Sequence, residues 1–529
     1  MENSASSVEA LARDMFEAIA RDFPVSCASD EFYYFPQLRP SDLDWEVWDR
    51  FSPQGVAELA GNLSAWEEAL ARCAADGSLD ADARIDLNLL TGFARTLREQ
   101  VSEVRTWQTQ PTVPLTLVCM GLAEAMASDD PDAKHGRATG LPAFLDQTGE
   151  NLADVPVHFR DLGLEMVEDT RNYLLFLKET IPEIGPGINA LDRFEHALKG
   201  ASTRQGFLLP PAMVERIIRF HIHCDMDMQE VTRTLDEEIE EMRQVLEGEA
   251  GRLVPDRKGR SDPLWREALD GIPGPEIGEQ GVIGLYTREV RRLADHCRGH
   301  GLIPKGPGSS CPVRVLPMPP YVSAIRTAPS YSISPGHPPS QGIFYIFEDQ
   351  GPDETRRRYH REYRMLAAHE TYPGHHLLDA SRWGLARSCR RPVERPIFYE
   401  GWACFAEEIL RRTGYFSGSA DRFLLAKRRL WRAIRGKVDI GLQTGGMDME
   451  GAAQCLMETG IGREQAMSSA RRYPLNPGYQ LSYTMGLRRF LDLCDRYGGD
   501  DIQGFAGRVL VQGEIGFDDL VGILAGKGT

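Results

Sequence analysis

Apolar side chains recur at three- and four-residue steps along most of the chain, and this period is typical of α-helices that bury one face. The pattern is clear over residues 8–23, and it returns over residues 235–246 inside a strongly acidic segment. It also runs over residues 402–410, where two arginines and then Gly414 indicate a helix end. The pattern therefore predicts a mainly α-helical fold.

Two stretches interrupt the helical period. Residues 251–275 are rich in charge, glycine and proline, and they predict a connection on the surface. Residues 312–339 contain repeated prolines, which exclude a long helix, and the segment Gly342–Phe347 has the composition of a strand. We therefore predict a small β-sheet near residues 312–347.

The length of the chain, 529 residues, exceeds the size at which a single hydrophobic core keeps growing. We predict a helical N-terminal region over residues 1–250 and a second region over residues 275–529, which contains the small sheet. No repeat of fixed period is visible.

The composition is that of a globular protein, with 42% hydrophobic and 26% charged residues. The formal net charge of −18 argues against a surface for nucleic acid or anionic membranes, because both require clustered lysine and arginine. We therefore expect neither nucleic acid nor a membrane as a partner. The oligomeric state does not follow from the sequence.

The ten cysteines are scattered between Cys27 and Cys494 without a C-x-x-C pair, which indicates reduced and mostly buried thiols. No apolar run approaches the roughly 20 residues that span a bilayer. The first residues have neither a basic segment nor an apolar one of the kind found in secretory signals. These features predict a cytoplasmic protein.

The segment His369–His376, with the sequence H-E-T-Y-P-G-H-H, is the strongest candidate for chemistry. A helix is expected to begin near Asp353 and to carry His369 and Glu370 at its end. Pro373 lacks an N–H and clashes with the carbonyl four residues before it. The helix must therefore kink or stop between Glu370 and His375.

This break decides which histidine accompanies His369. The ordinary H-E-x-x-H zinc motif is absent, because Pro373 occupies the position of its second histidine. In an unbroken helix His376 would lie about 10 Å further along the axis, too far for a shared zinc ion. A distortion at Pro373 and Gly374 shortens this spacing. We favour His375 as the second ligand and keep His376 as the alternate.

Glu400 is the best candidate for the third ligand, because it begins the next clear helix after a connecting loop. His369, His375 and Glu400 then predict one zinc ion per chain, with a fourth position for water. Glu370, beside a ligand, is the candidate general base on that water. Glu407 lies on the same helical face as Glu400 and is either a partner of a ligating histidine or an exposed carboxylate.

At these residues the sequence resembles the bacterial family known as domain of unknown function 885. That family carries the patterns H-E-x-Y-P-G-H-H, E-G-W-A-x-Y-A-E and P-G-x-x-x-S-Y-x-x-G. Here they stand at His369–His376, Glu400–Glu407 and Pro477–Gly486, with Cys404 and Phe405 where leucine and tyrosine are usual. The resemblance covers roughly the last third of the chain.

The family in turn resembles the gluzincin zinc peptidases, in which a glutamate on the following helix is the third zinc ligand. This resemblance implies a multi-helix metallopeptidase fold with the small sheet beside an active-site cleft. It also implies Tyr483 as the donor to the oxyanion of the tetrahedral intermediate, against the alternative of a packed core tyrosine. Gln480 is a weaker candidate for contacting the substrate backbone.

The sequence thus predicts a zinc-dependent hydrolase that cleaves an amide or peptide bond of a small peptide or aminoacyl metabolite. One alternative is a zinc enzyme of specialised metabolism with non-peptidase chemistry. Another is a non-catalytic, metal-stabilised scaffold that binds a ligand, although such a scaffold has no use for Glu370. A second metal site at His221, His223 and Asp225 is not expected.

Overall fold

The computed structural model describes residues 4–75, 79–254, 263–305, 311–319, 328–337, 339–347 and 361–526. Within these ranges the fold is mainly helical, which confirms the predicted class. The helices of the first part of the chain are Ser4–Asp22, Pro24–Ala28, Pro53–Ala74, Ala81–Glu99, Thr106–Thr109, Thr112–Ala127, Ala133–Glu150, Val157–Lys178 and Gly185–Gly200.

A second series of helices follows residue 210. Its first members are Pro211–Arg216, Met228–Leu253, Leu264–Gly271 and Gly281–Gly299. Five helices that build the site are named here by one residue each: the His369 helix (Tyr363–Glu370), the His375 helix (His375–Trp383), the Glu400 helix (Pro396–Arg412), the Arg432 helix (Ser419–Gln443) and the Tyr483 helix (Leu481–Tyr497). The others are Met449–Met457, Arg463–Arg472, Ile502–Leu510 and Phe517–Leu524.

The small sheet lies where the sequence predicts it. Its central strand, Gly342–Ile346, pairs in parallel with Val313–Pro317 and antiparallel with Ser330–Ile333. The burial of the central strand alternates, so that Gly342, Phe344 and Ile346 face the core. A separate pairing joins Val155–Pro156 to Thr203–Arg204.

Two large hydrophobic cores and two small clusters are present in the described residues. One large core is built mainly from side chains between Val8 and Leu198, and the other mainly from side chains between Val214 and Leu520. The helix Met228–Leu253 buries Val231, Leu235 and their neighbours in the second core, where it packs against the Arg432 helix. This helix therefore belongs to the second core. The division into regions over residues 1–250 and 275–529 stays a prediction.

Local predictions hold to different degrees. The apolar stripes over residues 8–23, 235–246 and 402–410 fall on helices, except that Phe23 lies between two of them. The predicted connection over residues 251–275 instead contains the helix Leu264–Gly271, because Leu264, Trp265 and Leu269 give it an apolar face that packs on the second core. Residues 255–262 and the expected helix start near Asp353 lie outside the described residues.

The Glu400 helix and the Tyr483 helix cross at two glycines. A Cβ atom on Gly401 would lie 2.5 Å from the Cα atom of Gly486, and one on Gly486 would overlap the carbonyl oxygen of Ile397. The two backbones therefore touch, which no larger residue at either position would allow.

No helix among the described residues combines the length and the apolar character needed to cross a membrane.

Candidate metal centre

The His369 helix stops where the sequence predicts a break. It ends at Glu370, Thr371 leaves helical geometry with φ −122° and ψ −96°, and the Tyr372–Pro373 peptide is cis. The His375 helix then begins directly after Gly374. Two short helices thus meet at an angle, with a histidine at the end of the first and another at the start of the second.

Gly374 makes this junction possible by lacking a side chain. Its backbone N–H donates to the carbonyl oxygen of Ala368 over 3.1 Å, so the chain passes very close to the last turn of the His369 helix. A Cβ atom on Gly374 would overlap the carbonyl oxygen of His369. Glycine is therefore required here because no side chain has space at this position.

Three of the predicted ligands converge. One side-chain donor atom each from His369, His375 and Glu400 lies within 4.8 Å of the others, and all three residues are buried. The Nε2 atoms of both imidazoles are 3.5 Å from Oε2 of Glu400. No other group of this kind is found among the residues that the structure describes.

The spacing of these atoms fits a small divalent cation. Oε2 of Glu400 is buried and has no hydrogen-bond partner, although two imidazole nitrogens face it. Zinc bonds of about 2.0–2.1 Å in tetrahedral geometry place neighbouring ligand atoms about 3.3 Å apart. The distances from the carboxylate oxygen to both nitrogens, 3.5 Å each, match this spacing, and the three atoms form a donor set that zinc accepts.

His369 is anchored on its far side by Glu407. Its Nδ1 atom is 3.3 Å from Oε1 of Glu407 and 3.1 Å from Nη2 of Arg432. An Nε2 atom that binds metal requires its proton on Nδ1, and that proton then points to the carboxylate of Glu407. Glu407 is only 2% exposed, which excludes the alternative of an exposed helix carboxylate.

Buried arginines hold Glu407 in place. Arg432 donates to both of its oxygens, over 3.0 and 2.7 Å, and Arg428 donates to Oε1 over 3.2 Å. Arg428 and Lys427 also pair with the buried Glu362. Burial alone would raise the pKa of Glu407, but these cations hold it well below its ordinary value. The carboxylate facing His369 is therefore charged.

Glu400 is oriented by a tyrosine. The Tyr479 hydroxyl donates to Oε1 of Glu400 over 2.9 Å, which leaves Oε2 turned towards the two imidazoles. Burial would raise the pKa of Glu400, whereas His369 and His375 lower it well below its usual range. A charged carboxylate is thus fixed between two histidines.

His375 is positioned by aromatic stacking. The ring of Tyr399 lies on its imidazole with centroids 4.0 Å apart and planes 22° from parallel. The Tyr399 hydroxyl donates to Oδ2 of Asp379 over 3.3 Å, one helical turn after His375. This contact fixes the plane of the imidazole against the Glu400 helix.

His376, the alternate ligand, points elsewhere. Its Nε2 atom lies 3.0 Å from the carbonyl oxygen of Cys311 and 3.1 Å from the Tyr372 hydroxyl, and its Nδ1 atom lies 3.1 Å from the Tyr331 hydroxyl. Burial lowers the pKa of His376 to about 4. Both ring nitrogens are engaged where the sheet meets the His375 helix, so the geometry favours His375 over His376.

The two predicted catalytic residues occupy different positions around the cluster. Glu370 is the last residue of the His369 helix, directly after a candidate ligand, and is partly buried. The Tyr483 ring is nearly parallel to that of His369, with centroids 6.4 Å apart. Burial and the charge of Glu400 raise the pKa of Tyr483, so its phenol keeps its proton.

Comparison with known proteins places the chain in a family. A model of the bacterial proteins of unknown function called DUF885 matches residues 41–522. The chain belongs to the DUF885 family. The match extends the resemblance seen in three motifs across both hydrophobic cores of this DUF885 protein.

Two solved structures share the fold of this DUF885 protein. One, described as "a putative lipoprotein of unknown function" from Shewanella oneidensis, has a TM-score of 0.76 at 16% identity and covers 97% of this chain and 99% of that chain. The other, "the putative lipoprotein from Colwellia psychrerythraea", has a TM-score of 0.79 at 16% identity and covers 100% and 99%. Such low identity establishes the fold alone. No curated protein matches the chain.

Sequence reasoning missed several side chains of this DUF885 site. Tyr479 stands inside the third motif but was not singled out, and Arg428 and Arg432 look like the solvated side of a long helix. His221 pairs with Glu99 over 2.9 Å, and the absence of a second metal site at His221 and His223 stays a prediction. Burial raises the pKa of Cys404 to about 12, so this thiol stays protonated beside the cluster.

Proposed function

We propose that this protein is a zinc-dependent hydrolase that cleaves an amide or peptide bond of a small peptide or aminoacyl metabolite. One zinc ion per chain would be held by His369, His375 and Glu400. The observation that supports this most is the convergence of three buried ligand atoms with Glu370 directly following one of them. A purely structural zinc site would offer four protein ligands and would not need this glutamate.

Zinc bound by three protein ligands keeps a position for water, lowers the pKa of that water towards about 7 and polarises a substrate carbonyl. Glu370 would accept a proton from the water and deliver it to the leaving amine. Glu407 would hold His369 by accepting the Nδ1 proton, and Tyr479 would hold Glu400 through Oε1.

Tyr483 would donate a hydrogen bond to the oxyanion that develops on the substrate carbonyl. Its raised pKa keeps the donor proton in place, and its ring lies against His369. A donor aimed at developing charge in a site that excludes water lowers the reaction barrier by about 2.7–4 kcal/mol. Tyr483 acts here without carrying charge itself.

We also propose a relationship to the gluzincin peptidases, supported by the glutamate ligand on a separate helix after the histidine pair. The cytoplasmic location remains a prediction. Two structures of the same fold are described as those of putative lipoproteins, so fractionation of the native host is the measurement for location.

Metal content is the first test. Protein purified without chelator should contain about one zinc per chain by elemental analysis. His375→Gln should lose the metal, whereas His376→Gln should keep it and only lower the melting temperature, because His376 serves the packing of the sheet. Wild-type protein without any transition metal would exclude the proposal. If only His376→Gln loses the metal, His376 rather than His375 is the second ligand.

Hydrolysis is the second test. The zinc-loaded protein should release amines from a library of N-acylated dipeptides and aminoacyl amides, and a chelator should stop the reaction. Zinc addition should restore it. A metal-loaded protein that leaves the whole library intact would point to the non-peptidase chemistry kept as the alternative.

A further inference from the structure

Arg435 is an arginine of the site that forms no ion pair with a carboxylate among the described residues, although Glu400 and Asp439 act on it through their charges. It follows Arg428 and Arg432 on the same helix, and those two are bound to Glu407 and Glu362. Arg435 donates instead to the neutral amide oxygen of Gln480. Its Nε atom is buried and has no hydrogen-bond acceptor in the part of the chain that the structure describes.

Aromatic rings hold this guanidinium in one plane. Its Cζ atom lies 4.2 Å from the ring centroid of Trp431 and 4.6 Å from that of Tyr483. Tyr483 in turn stacks near His369, with centroids 6.4 Å apart. A single aromatic ring therefore separates the guanidinium from the metal cluster. The Tyr483 hydroxyl also interacts with this guanidinium, whereas the Nε donor of Arg435 has no partner within the described ranges. An arginine fixed in this way can bind a planar, two-oxygen anion through its fork of donors.

We propose that Arg435 binds the α-carboxylate of the substrate on the leaving-group side of the scissile amide. The substrates would then be N-acylated amino acids and short peptides cleaved at their C-terminal residue. The inference rests on the proposed amide hydrolysis. One residue of extended chain spans about 3.5 Å, so this carboxylate would lie one residue away from the carbonyl that is cleaved.

The role of Gln480 changes with this assignment. The sequence suggested that it contacts the substrate backbone, but its side-chain oxygen accepts from Arg435 and its backbone N–H donates to Asp439 over 3.1 Å. Gln480 therefore positions Arg435. A neutral partner fixes the guanidinium without cancelling the charge that attracts a carboxylate.

Binding of three small probes to the metal-free protein tests the proposal without turnover, because the proposed hydrolysis needs the zinc ion. N-acetyl-leucine carries the α-carboxylate, N-acetyl-leucinamide lacks it, and N-acetyl-glutamic α-amide carries a carboxylate only on its side chain. Calorimetric titration should show N-acetyl-leucine binding about 10- to 100-fold more tightly than the leucinamide, the range of a charged hydrogen bond. Equal binding of these two would overturn the proposal, and preference for the glutamic amide would place the carboxylate elsewhere.

Variants locate the preference. Arg435→Gln should remove the discrimination between N-acetyl-leucine and its amide, and Arg435→Lys should keep only part of it because lysine lacks the planar fork. Lys437→Gln, which removes one exposed charge from the same helix, should leave the discrimination unchanged. Discrimination that survives in a folded Arg435→Gln protein would contradict the assignment. The comparison of the three probes on wild-type protein does not depend on whether any variant folds.

Failure of the two proposals can be told apart. If N-acetyl-leucine is preferred but no amide is cleaved, Arg435 keeps its role and the hydrolase proposal fails. If dipeptides and their C-terminal amides are cleaved at equal rates, the hydrolase stands and the role of Arg435 is wrong.

Discussion

In the proposed mechanism, Glu370 has the most demanding chemical role among the individual side chains. Glu370→Gln keeps the shape of the side chain but removes the lone pair that accepts a proton. We expect the variant to retain zinc and its melting temperature while turnover falls by about 10²–10⁴-fold. The measurement is the rate of amine release beside elemental analysis of the same preparation.

The control for this variant is Glu247→Gln, which removes an exposed carboxylate from the helix Met228–Leu253. Its turnover should equal that of the wild type. A Glu370→Gln protein with near wild-type turnover would remove Glu370 from the mechanism while leaving the metal site unaffected.

Tyr479→Phe removes the hydroxyl that donates to Oε1 of Glu400. The carboxylate then loses its fixed orientation, and outer partners of this kind are worth about 10- to 100-fold in metal affinity. We expect zinc affinity to fall within that range in competition with a fluorescent chelator. Tyr497→Phe, near the end of the Tyr483 helix, is the matched control and should bind zinc as the wild type does.

His369, His375 and Glu400 could be predicted from the sequence because candidate metal ligands form a local pattern. The pattern consists of histidines around a Pro-Gly break and a glutamate at the start of the next helix. Tyr479 could not be predicted in this way, since a sequence does not distinguish a tyrosine that orients a metal ligand from a tyrosine packed in a core. The choice between His375 and His376 depended on the path of the backbone at Gly374. That path is set by a close approach which no pattern of residue types records.

Among the helices, the junction between the His369 helix and the His375 helix controls the site. Gly374→Ala places a Cβ atom against the carbonyl oxygen of His369 and must push the two helices apart. We expect the variant to fold but to lose zinc binding, because His375 moves with its helix. Zinc content and circular dichroism measured together separate these effects.

A matched glycine-to-alanine control is available at Gly248, an exposed helical position with open space around it. This change should leave zinc binding intact and stabilise the fold by about 0.5–1 kcal/mol, since alanine is the better helix former. If Gly374→Ala binds zinc as tightly as Gly248→Ala, the junction does not assemble the site.

The positions of the helices follow from the local period of apolar residues, which is why the stripes over residues 8–23 and 235–246 predicted them. This period does not predict which helices pack against each other. Leu235 marks the buried face of its helix, but nothing near it in the sequence shows that this face meets the Arg432 helix. For the same reason the sequence does not predict the burial of Arg428 and Arg432, which depends on elements far away in the chain.

Over the protein as a whole, stability should depend on pH through Asp439. Burial raises its pKa to about 7, against about 3.9 in an unfolded chain. Between these values the folded state binds the proton more strongly, so this contribution to stability is complete below about pH 4 and is lost as pH rises towards 7. Each pKa unit corresponds to about 1.4 kcal/mol.

Asp439→Asn isolates this effect, because the other titrating groups are common to both proteins. We expect the difference in unfolding free energy between wild type and variant to change steadily from pH 4 to pH 7 in urea titrations of metal-free protein. Differences that stay constant over this range would show that Asp439 titrates as an ordinary surface carboxylate.

The glycine crossing of Gly401 and Gly486 gives a criterion for related sequences. A relative could keep both histidines, the glutamate ligand and the tyrosine, and still carry alanine or serine at one of these two positions. Its Glu400 helix and Tyr483 helix would then be forced apart, because here their backbones touch. Under the proposed function, such a relative would keep every residue assigned to the chemistry and yet be inactive. The two glycines would then identify degenerate members that a comparison of those residues alone would miss.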